Sequence, residues 1–132
     1  MNDYRYTAVH DYGLPLMRAT VDGMFTAQTL DVIVYPTATS RPALVTAFPD
    51  APPGGGSGTA SAANIANLTG FPDLIVPAGF TGGRLPVGLS FLGPAFSEPR
   101  LLAIGYSFEQ ATRARRRPVL TPALPGESIV VP

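Results

Sequence analysis

The sequence contains no cysteine, no lysine and no tryptophan, and its one histidine is His10. Without cysteine, the chain can form no disulfide, no thiolate metal site and no cysteine nucleophile. A single histidine is too few for a multi-histidine metal cluster, and all nine basic residues are arginine. Lysine-dependent catalysis is therefore excluded within this chain, and we expect neither a metal nor a cofactor.

Charge and hydropathy narrow the class of protein further. Nine basic residues balance nine acidic ones, and 45% of the 132 residues are hydrophobic, which suits one globular domain with a core. Prolines and glycines interrupt every apolar run before the 18 or so residues that a membrane helix requires. Residues 1–13 lack the basic start and apolar run of a secretory signal. We expect a cytoplasmic protein without a membrane or nucleic-acid partner.

Local patterns predict an α/β fold in which helices pack on a mixed sheet. In chain order the predicted elements are a helix over 15–30, a strand over 31–36, a loop over 37–58, a helix over 61–68, strands over 73–80 and 85–92, and a helix over 98–114. Ser61 is the expected N-cap of the second of these helices, and Gly70 ends it in a left-handed conformation. A tight reversal at 81–84 joins the last two strands into a hairpin.

The last predicted helix carries the clearest pattern. Ser97 is its expected N-cap and Pro99 fits its first turn. Its buried stripe is predicted to comprise Leu101, Ile104, Phe108 and Ala111. Residues 118–132 form a proline-rich tail that we expect to run over the surface.

Three short motifs stand in a fixed order in the second half of the chain. They are NLTGFP at 67–72, LIVPAG at 74–79 and LPVGL at 85–89. Together with the segment 25–43, which includes DVIVYPT, this series resembles the C-terminal end of amidase-signature hydrolases. Each motif also has a structural meaning: Gly70 ends a helix, while Gly79 and Gly88 permit close approach of the backbone.

The resemblance implies that residues 1–132 are a single partial domain with a partial amidase-signature fold. Members of that family hydrolyse amide bonds with a serine nucleophile, a second serine in a cis peptide and a lysine base. In the family, these groups belong to parts that precede the matched segment. We therefore assign no catalytic, cofactor-binding or metal-binding residue here. We expect a C-terminal fragment that supplies strands and a pocket wall and is inactive alone.

Other functions remain open at this point. The chain is also compatible with a non-catalytic interaction subunit or small binding domain that complements an N-terminal amidase portion or a separate catalytic chain. Its exposed strands are also suited to self-association. In each case the uncovered apolar faces and strand edges provide the contact.

Two groups of residues are similar to parts of a catalytic site. The glycine-rich stretch Gly54–Ala63 is similar to the family's GGSSGGS motif, but its paired serines are reduced to Ser57 and no lysine is present to activate it. We interpret it as a loop that leads to Ser61. His10 and Asp11 are adjacent, yet no motif places a serine with them, so we favour a surface histidine over a Ser/His/Asp triad.

Two further clusters have a structural and a functional interpretation. Arg113, Arg115, Arg116 and Arg117 follow the last helix, where cations favour the negative end of the helix dipole. A nucleic-acid patch is the less favoured alternative. Tyr4, Tyr6 and Tyr12 are either packing residues or an aromatic contact surface.

Overall fold

The computed structural model describes residues 3–38, 63–82 and 85–116. Its elements in chain order are helix α1 (Tyr4–Thr7), a π-helical segment (Ala8–Gly13), α2 (Leu14–Gln28), strand β1 (Ile33–Pro36), α3 (Ala63–Thr69), β2 (Asp73–Thr81), β3 (Leu85–Leu92) and α4 (Glu98–Thr112). Most of the predicted loop over 37–58, the expected cap Ser61 and the tail over 118–132 lie outside the described residues. No helix within the described ranges is long and apolar enough to cross a membrane.

The N-terminal helix begins earlier than the sequence pattern predicts. α1, the π-helical segment and α2 follow one another without a break, and Asp3 caps the start by accepting a hydrogen bond from the Arg5 backbone N–H at 2.9 Å. Residues 3–13 are all exposed. Because they bury no face, they show no apolar periodicity from which a helix could be predicted. The predicted part, α2, ends at Thr29 in a left-handed conformation with φ 51°.

The three strands form one antiparallel sheet in the order β1-β3-β2. The predicted hairpin of β2 and β3 is confirmed, and Leu92 pairs with Ile33 on one side and Asp73 on the other. β1 begins at Ile33 rather than at residue 31, since Asp31 instead forms an ion pair with Arg100 at 2.7 Å. The predicted architecture of helices packed on a sheet is therefore confirmed.

A bulge interrupts β2 between Pro77 and Gly79. Gly79 has φ 131°, which L side chains rarely adopt, and a Cβ atom there would meet nothing within 4 Å. The close approach expected at Gly79 is thus wrong, because the residue is required by the bulge. Gly88 does approach closely: a Cβ atom would lie 3.0 Å from Thr37 Oγ1.

Two hydrophobic clusters hold the helices on opposite faces of the sheet. On one face, Phe25 of α2 packs with Phe71 and Leu92. On the other face, Leu101 of α4 packs with Val76 and Phe91. Strand residues alternate between faces, so adjacent residues Phe91 and Leu92 enter different clusters. The sheet is therefore covered on both sides, but only where these helices reach it.

Helix α4 follows its predicted range with two corrections. Ser97 is the N-cap residue, but its hydroxyl donates to the Pro94 carbonyl at 2.7 Å and does not cap a helix N–H. Leu101 is buried and Ile104 and Phe108 are half-buried, whereas Ala111 is exposed. The prediction that Ala111 belongs to the stripe is wrong, because at about 100° per residue it lies about 80° from the direction of Leu101.

Candidate functional site

The NLTGFP motif forms the junction between α3 and β2. Thr69 is completely buried; its hydroxyl donates to the Ile65 carbonyl at 2.7 Å and accepts from the Phe71 backbone N–H at 3.3 Å. Gly70, with φ 70°, ends the helix and donates to the Ala66 carbonyl at 2.8 Å. The predicted left-handed helix end at Gly70 is confirmed.

A side chain from α2 fixes this junction to the N-terminal helix. The Nε of Arg18 donates to the Thr69 carbonyl at 2.7 Å, across 51 residues of sequence. Phe25 and Phe71 pack edge to face, with ring centroids 6.2 Å apart. An arginine on one of the carbonyls left unpaired at a helix C-terminus satisfies it and complements the helix dipole. The motif is therefore a joint between α2, α3 and β2, and none of these residues is placed as a nucleophile.

A cleft of about 590 Å³ opens beside this joint. Its volume lies within the roughly 300–1,000 Å³ range of ligand pockets. The lining residues are His10, Leu14, Pro15, Arg18, Ala19, Asp22, Leu68, Phe71 and Ala95. Most of these are apolar, with Arg18 providing a cation and Asp22 an anion. The cleft can form an apolar wall that positions a ligand, but none of the described residues that line it carries a hydroxyl or thiol nucleophile.

On the face of the sheet that α2 and α3 partly cover, side-chain hydrogen bonds link the strand segments. The Tyr35 hydroxyl donates to Asp73 Oδ2 at 2.9 Å, and Thr37 and Ser90 share a hydrogen bond of 2.9 Å. Burial, followed by the hydrogen bond to Asp73, raises the pKa of Tyr35 to about 12. Tyr35 is therefore a hydrogen-bond donor at neutral pH and not a general base.

The other carboxylate oxygen of Asp73 is shielded from solvent. Asp73 Oδ1 has no hydrogen-bond partner among the residues that the structure describes. An unsatisfied buried acceptor costs about 1–3 kcal/mol. The sheet thus presents an acceptor that a donor from outside the described residues can satisfy.

The structure does not assemble a triad around His10. Its Nδ1 lies 2.7 Å from Asp11 Oδ1, its ring stacks on Tyr6, and both members of the His–Asp pair are more than half exposed. The described serine hydroxyls are engaged elsewhere: Ser90 with Thr37, Ser97 with the Pro94 carbonyl, and Ser107 with the Ala103 carbonyl. No serine in the described ranges bonds to His10. Ser57 and the stretch Gly54–Ala63 lie outside those ranges, apart from Ala63 itself.

The tyrosines near the N-terminus and the arginines that follow α4 differ in exposure and in contacts. Tyr4, Tyr6 and Tyr12 are 74%, 64% and 73% exposed, so they are not core residues within the described structure. Arg113 is the C-cap of α4, and Arg116 lies over the Phe80 ring at 5.2 Å from its centroid. Arg116 is therefore engaged with the sheet, while Arg117 lies outside the described residues.

Sequence reasoning missed three polar residues of these sites: Arg18, Tyr35 and Asp73. No local pattern singles out Arg18, because its partner is the backbone carbonyl of a helix end 51 residues away. Tyr35 and Asp73 lie in strands that are separated by β3. Only the strand order brings their side chains together, and no local pattern specifies that order.

Residues 2–102 match the protein-family model described as Amidase. The chain is 53% identical over 57 residues to a glutamyl-tRNA(Gln) amidotransferase subunit of Desulforudis audaxviator, and 46% identical over 55 residues to a probable amidase of Arabidopsis thaliana. Each alignment covers 42% of this chain and 11% of the relative. The chain thus spans about a tenth of these curated relatives.

The fold is similar to that of the native peptide amidase of Stenotrophomonas maltophilia. The two superpose with a TM-score of 0.53 and 34% sequence identity, over 75% of this chain and 20% of the peptide amidase. The architecture is consistent with part of an amidase-signature fold. On the match over residues 2–102 and this structural similarity, the chain belongs to the Amidase family.

Proposed function

We propose that this chain is the C-terminal segment of an amide hydrolase, that it supplies sheet strands and one wall of the substrate pocket, and that it is inactive alone. The observation that carries the proposal is the family match over residues 2–102 in a chain that spans only 20% of the related peptide amidase. The absence of lysine from all 132 residues supports it, because the family's reaction requires a lysine base.

In the proposed reaction, water is added across a carboxamide C–N bond to give a carboxylate and ammonia or an amine. No cofactor takes part. A serine of the catalytic portion attacks the carbonyl carbon, and backbone N–H groups stabilise the oxyanion. The role of this chain is positional: the cleft beside Arg18 provides a mostly apolar surface with one cation, Arg18, and one anion, Asp22, which suits the non-reacting part of an amide substrate. We propose that this takes place in the cytoplasm.

The test compares the 132-residue chain alone with a chimera. In the chimera, the chain replaces the matching segment of the Stenotrophomonas peptide amidase. Ammonia release is measured with a peptide amide, with glutamine and with an aryl amide. We expect release from the chimera and from the intact peptide amidase, and none from the chain alone. Hydrolysis by the isolated chain that disappears on substitution of Ser57 would overturn the proposal.

The alternative is an interaction subunit that complements a separate catalytic chain. The exposed helix over residues 4–13, with its three uncovered tyrosines, favours this function. Native mass spectrometry of the protein purified from its source tests it. A stoichiometric partner with an amidase-family sequence supports the subunit, whereas recovery of this chain only within a longer covalent polypeptide excludes it.

A further inference from the structure

Helix α2 presents two opposite charges to the cleft, one helical turn apart. Arg18 and Asp22 both line the cleft, and their spacing of four residues places them on the same face of the helix. Neither side chain forms an ion pair within the part of the chain that the structure describes. The order of basic before acidic residue is the less favourable one for such a pair on a helix. The cleft therefore contains a cation and an anion that do not neutralise each other.

The α3–β2 junction fixes the position of the Arg18 guanidinium. Its Nε donates to the Thr69 carbonyl at 2.7 Å. At Gly70 a Cβ atom would lie 2.9 Å from Arg18 Nη2, so only glycine leaves the space that the guanidinium occupies. Within the described residues, Nη1 and Nη2 have no hydrogen-bond partner. These two nitrogens form the fork that binds a carboxylate through two parallel hydrogen bonds.

Apolar side chains surround the two charges. The third polar group of the lining, His10, is engaged elsewhere, because its Nδ1 lies 2.7 Å from Asp11 Oδ1 and its ring stacks on Tyr6. With a volume of about 590 Å³, the cleft has room for a large apolar side chain next to the charges. The apolar residues that form its walls include Leu14, Ala19, Leu68 and Phe71.

A ligand that matches these features carries a carboxylate, an ammonium group and an apolar body. Its carboxylate meets Arg18, its ammonium group meets Asp22, and its body covers the apolar walls. An anion alone would also face Asp22, and a cation alone would also face Arg18, so a ligand with both charges is favoured over either. Apolar α-amino acids have this chemistry at neutral pH. We propose that the cleft binds an apolar amino acid in its zwitterionic form.

This inference goes beyond the proposed function, because the binding requires neither the catalytic portion nor a scissile amide bond. Arg18 and Asp22 are both exposed, so solvent screens each contact and the contribution of each is modest. We therefore expect a dissociation constant of about 1 mM for an amino acid with an aromatic side chain. Selectivity among ligands, rather than tight binding, is the property that identifies the site.

The test titrates the 132-residue chain with four ligands that share one apolar body and differ in charge. They are phenylalanine, phenylpropanoate, which lacks the ammonium group, phenylethylammonium, which lacks the carboxylate, and phenylpropanamide, which has no charge. Binding is followed by NMR through the Nε–H resonance of Arg18. We expect phenylalanine to bind about fivefold more tightly than each of the other three.

Two substitutions assign the two charges of the ligand to their partners. Asp22→Asn should weaken phenylalanine binding about fivefold, to the level of phenylpropanoate, without weakening the binding of phenylpropanoate itself. Arg18→Gln should lower phenylalanine binding to the level of phenylethylammonium. Asp31→Asn and Arg100→Gln are the matched controls, because they remove the same charges from an exposed ion pair on α4. Neither control should change the affinity for phenylalanine.

Every outcome decides for or against the zwitterion. Equal binding of phenylalanine and phenylpropanamide overturns the proposal, as does an Asp22→Asn chain that keeps the preference for phenylalanine over phenylpropanoate. If Arg18→Gln does not fold because its contact with Thr69 is lost, the Asp22→Asn titration decides alone. A chimera that fails to hydrolyse amides counts against the proposed function and leaves the titration result unchanged.

Discussion

The two glycines within the long helices should respond to alanine with opposite signs. Replacing a helix-interior glycine by alanine favours the helix by about 1 kcal/mol. At Gly23 in α2, a Cβ atom would meet nothing within 4 Å. Gly23→Ala should therefore stabilise the chain by about 0.5–1 kcal/mol.

At Gly105 in α4, the same substitution meets the sheet. A Cβ atom there would overlap with Leu74 Cδ2 and lie 3.4 Å from Val76 Cγ1. Leu74 packs against the cluster of Val76, Phe91 and Leu101, so it cannot turn away without losing contacts. Overpacking of this kind costs about 1–3 kcal/mol. After the helix-propensity gain, Gly105→Ala should be destabilising by up to about 2 kcal/mol.

The assay for this pair is urea denaturation of both variants and the wild-type chain, followed by circular dichroism at 25 °C. Gly23→Ala should move the midpoint to higher urea and Gly105→Ala to lower urea, with unchanged slopes. Equal stabilisation by both substitutions would refute the packing of α4 on β2.

The remaining predictions concern the core, the sheet and the joint. Leu101→Ala, at a side chain that is 2% exposed, should destabilise the chain by about 2–5 kcal/mol, whereas Leu102→Ala, at one that is 60% exposed, should change it by less than about 0.5 kcal/mol in urea titrations. Because the pKa of Tyr35 rises from 10.0 to about 12 on folding, the unfolded chain loses this proton first. Stability should therefore fall as pH rises from about 10 to about 12, and a Tyr35→Phe chain with an equal fall would disprove the assignment. Arg18→Met should destabilise by about 1–2 kcal/mol, because the carbonyl that ends α3 loses a charged donor; thermal melts that match the wild type would contradict this.

Local chemistry explains which elements could be predicted from the sequence. The hairpin follows from two β-branched and apolar segments around a glycine reversal, and the start of α4 follows from Pro99 in its first turn. The end of α3 follows from Gly70, whose φ of 70° is the expected left-handed value. All of these depend on residues within a few positions of one another, which is the range over which propensity and turn chemistry act.

The features that escaped prediction depend on long-range contact or on exposure. The helix over residues 4–13 has no buried face, so its sequence carries no stripe. The contact of Arg18 with the Thr69 carbonyl and the pair of Tyr35 with Asp73 join residues that are 51 and 38 positions apart. Such contacts require the strand order and the docking of α2, neither of which any single segment specifies.

The positions of the two strand prolines fit the hydrogen-bonding pattern of the sheet. Proline at a position whose N–H faces a neighbouring strand removes a hydrogen bond from the sheet, but at an outward position it removes only a bond to a further strand. The Gly88 carbonyl accepts from the Thr37 N–H at 3.0 Å, so Gly88, which pairs with Pro77, faces β1, and Leu89, which pairs with Pro36, faces β2. Pro36 and Pro77 therefore both point away from β3, and the three strands keep their hydrogen bonds with one another. A shortened edge discourages nonspecific pairing with other chains. The two prolines thus limit the outer edges of the sheet without weakening the pairing inside it.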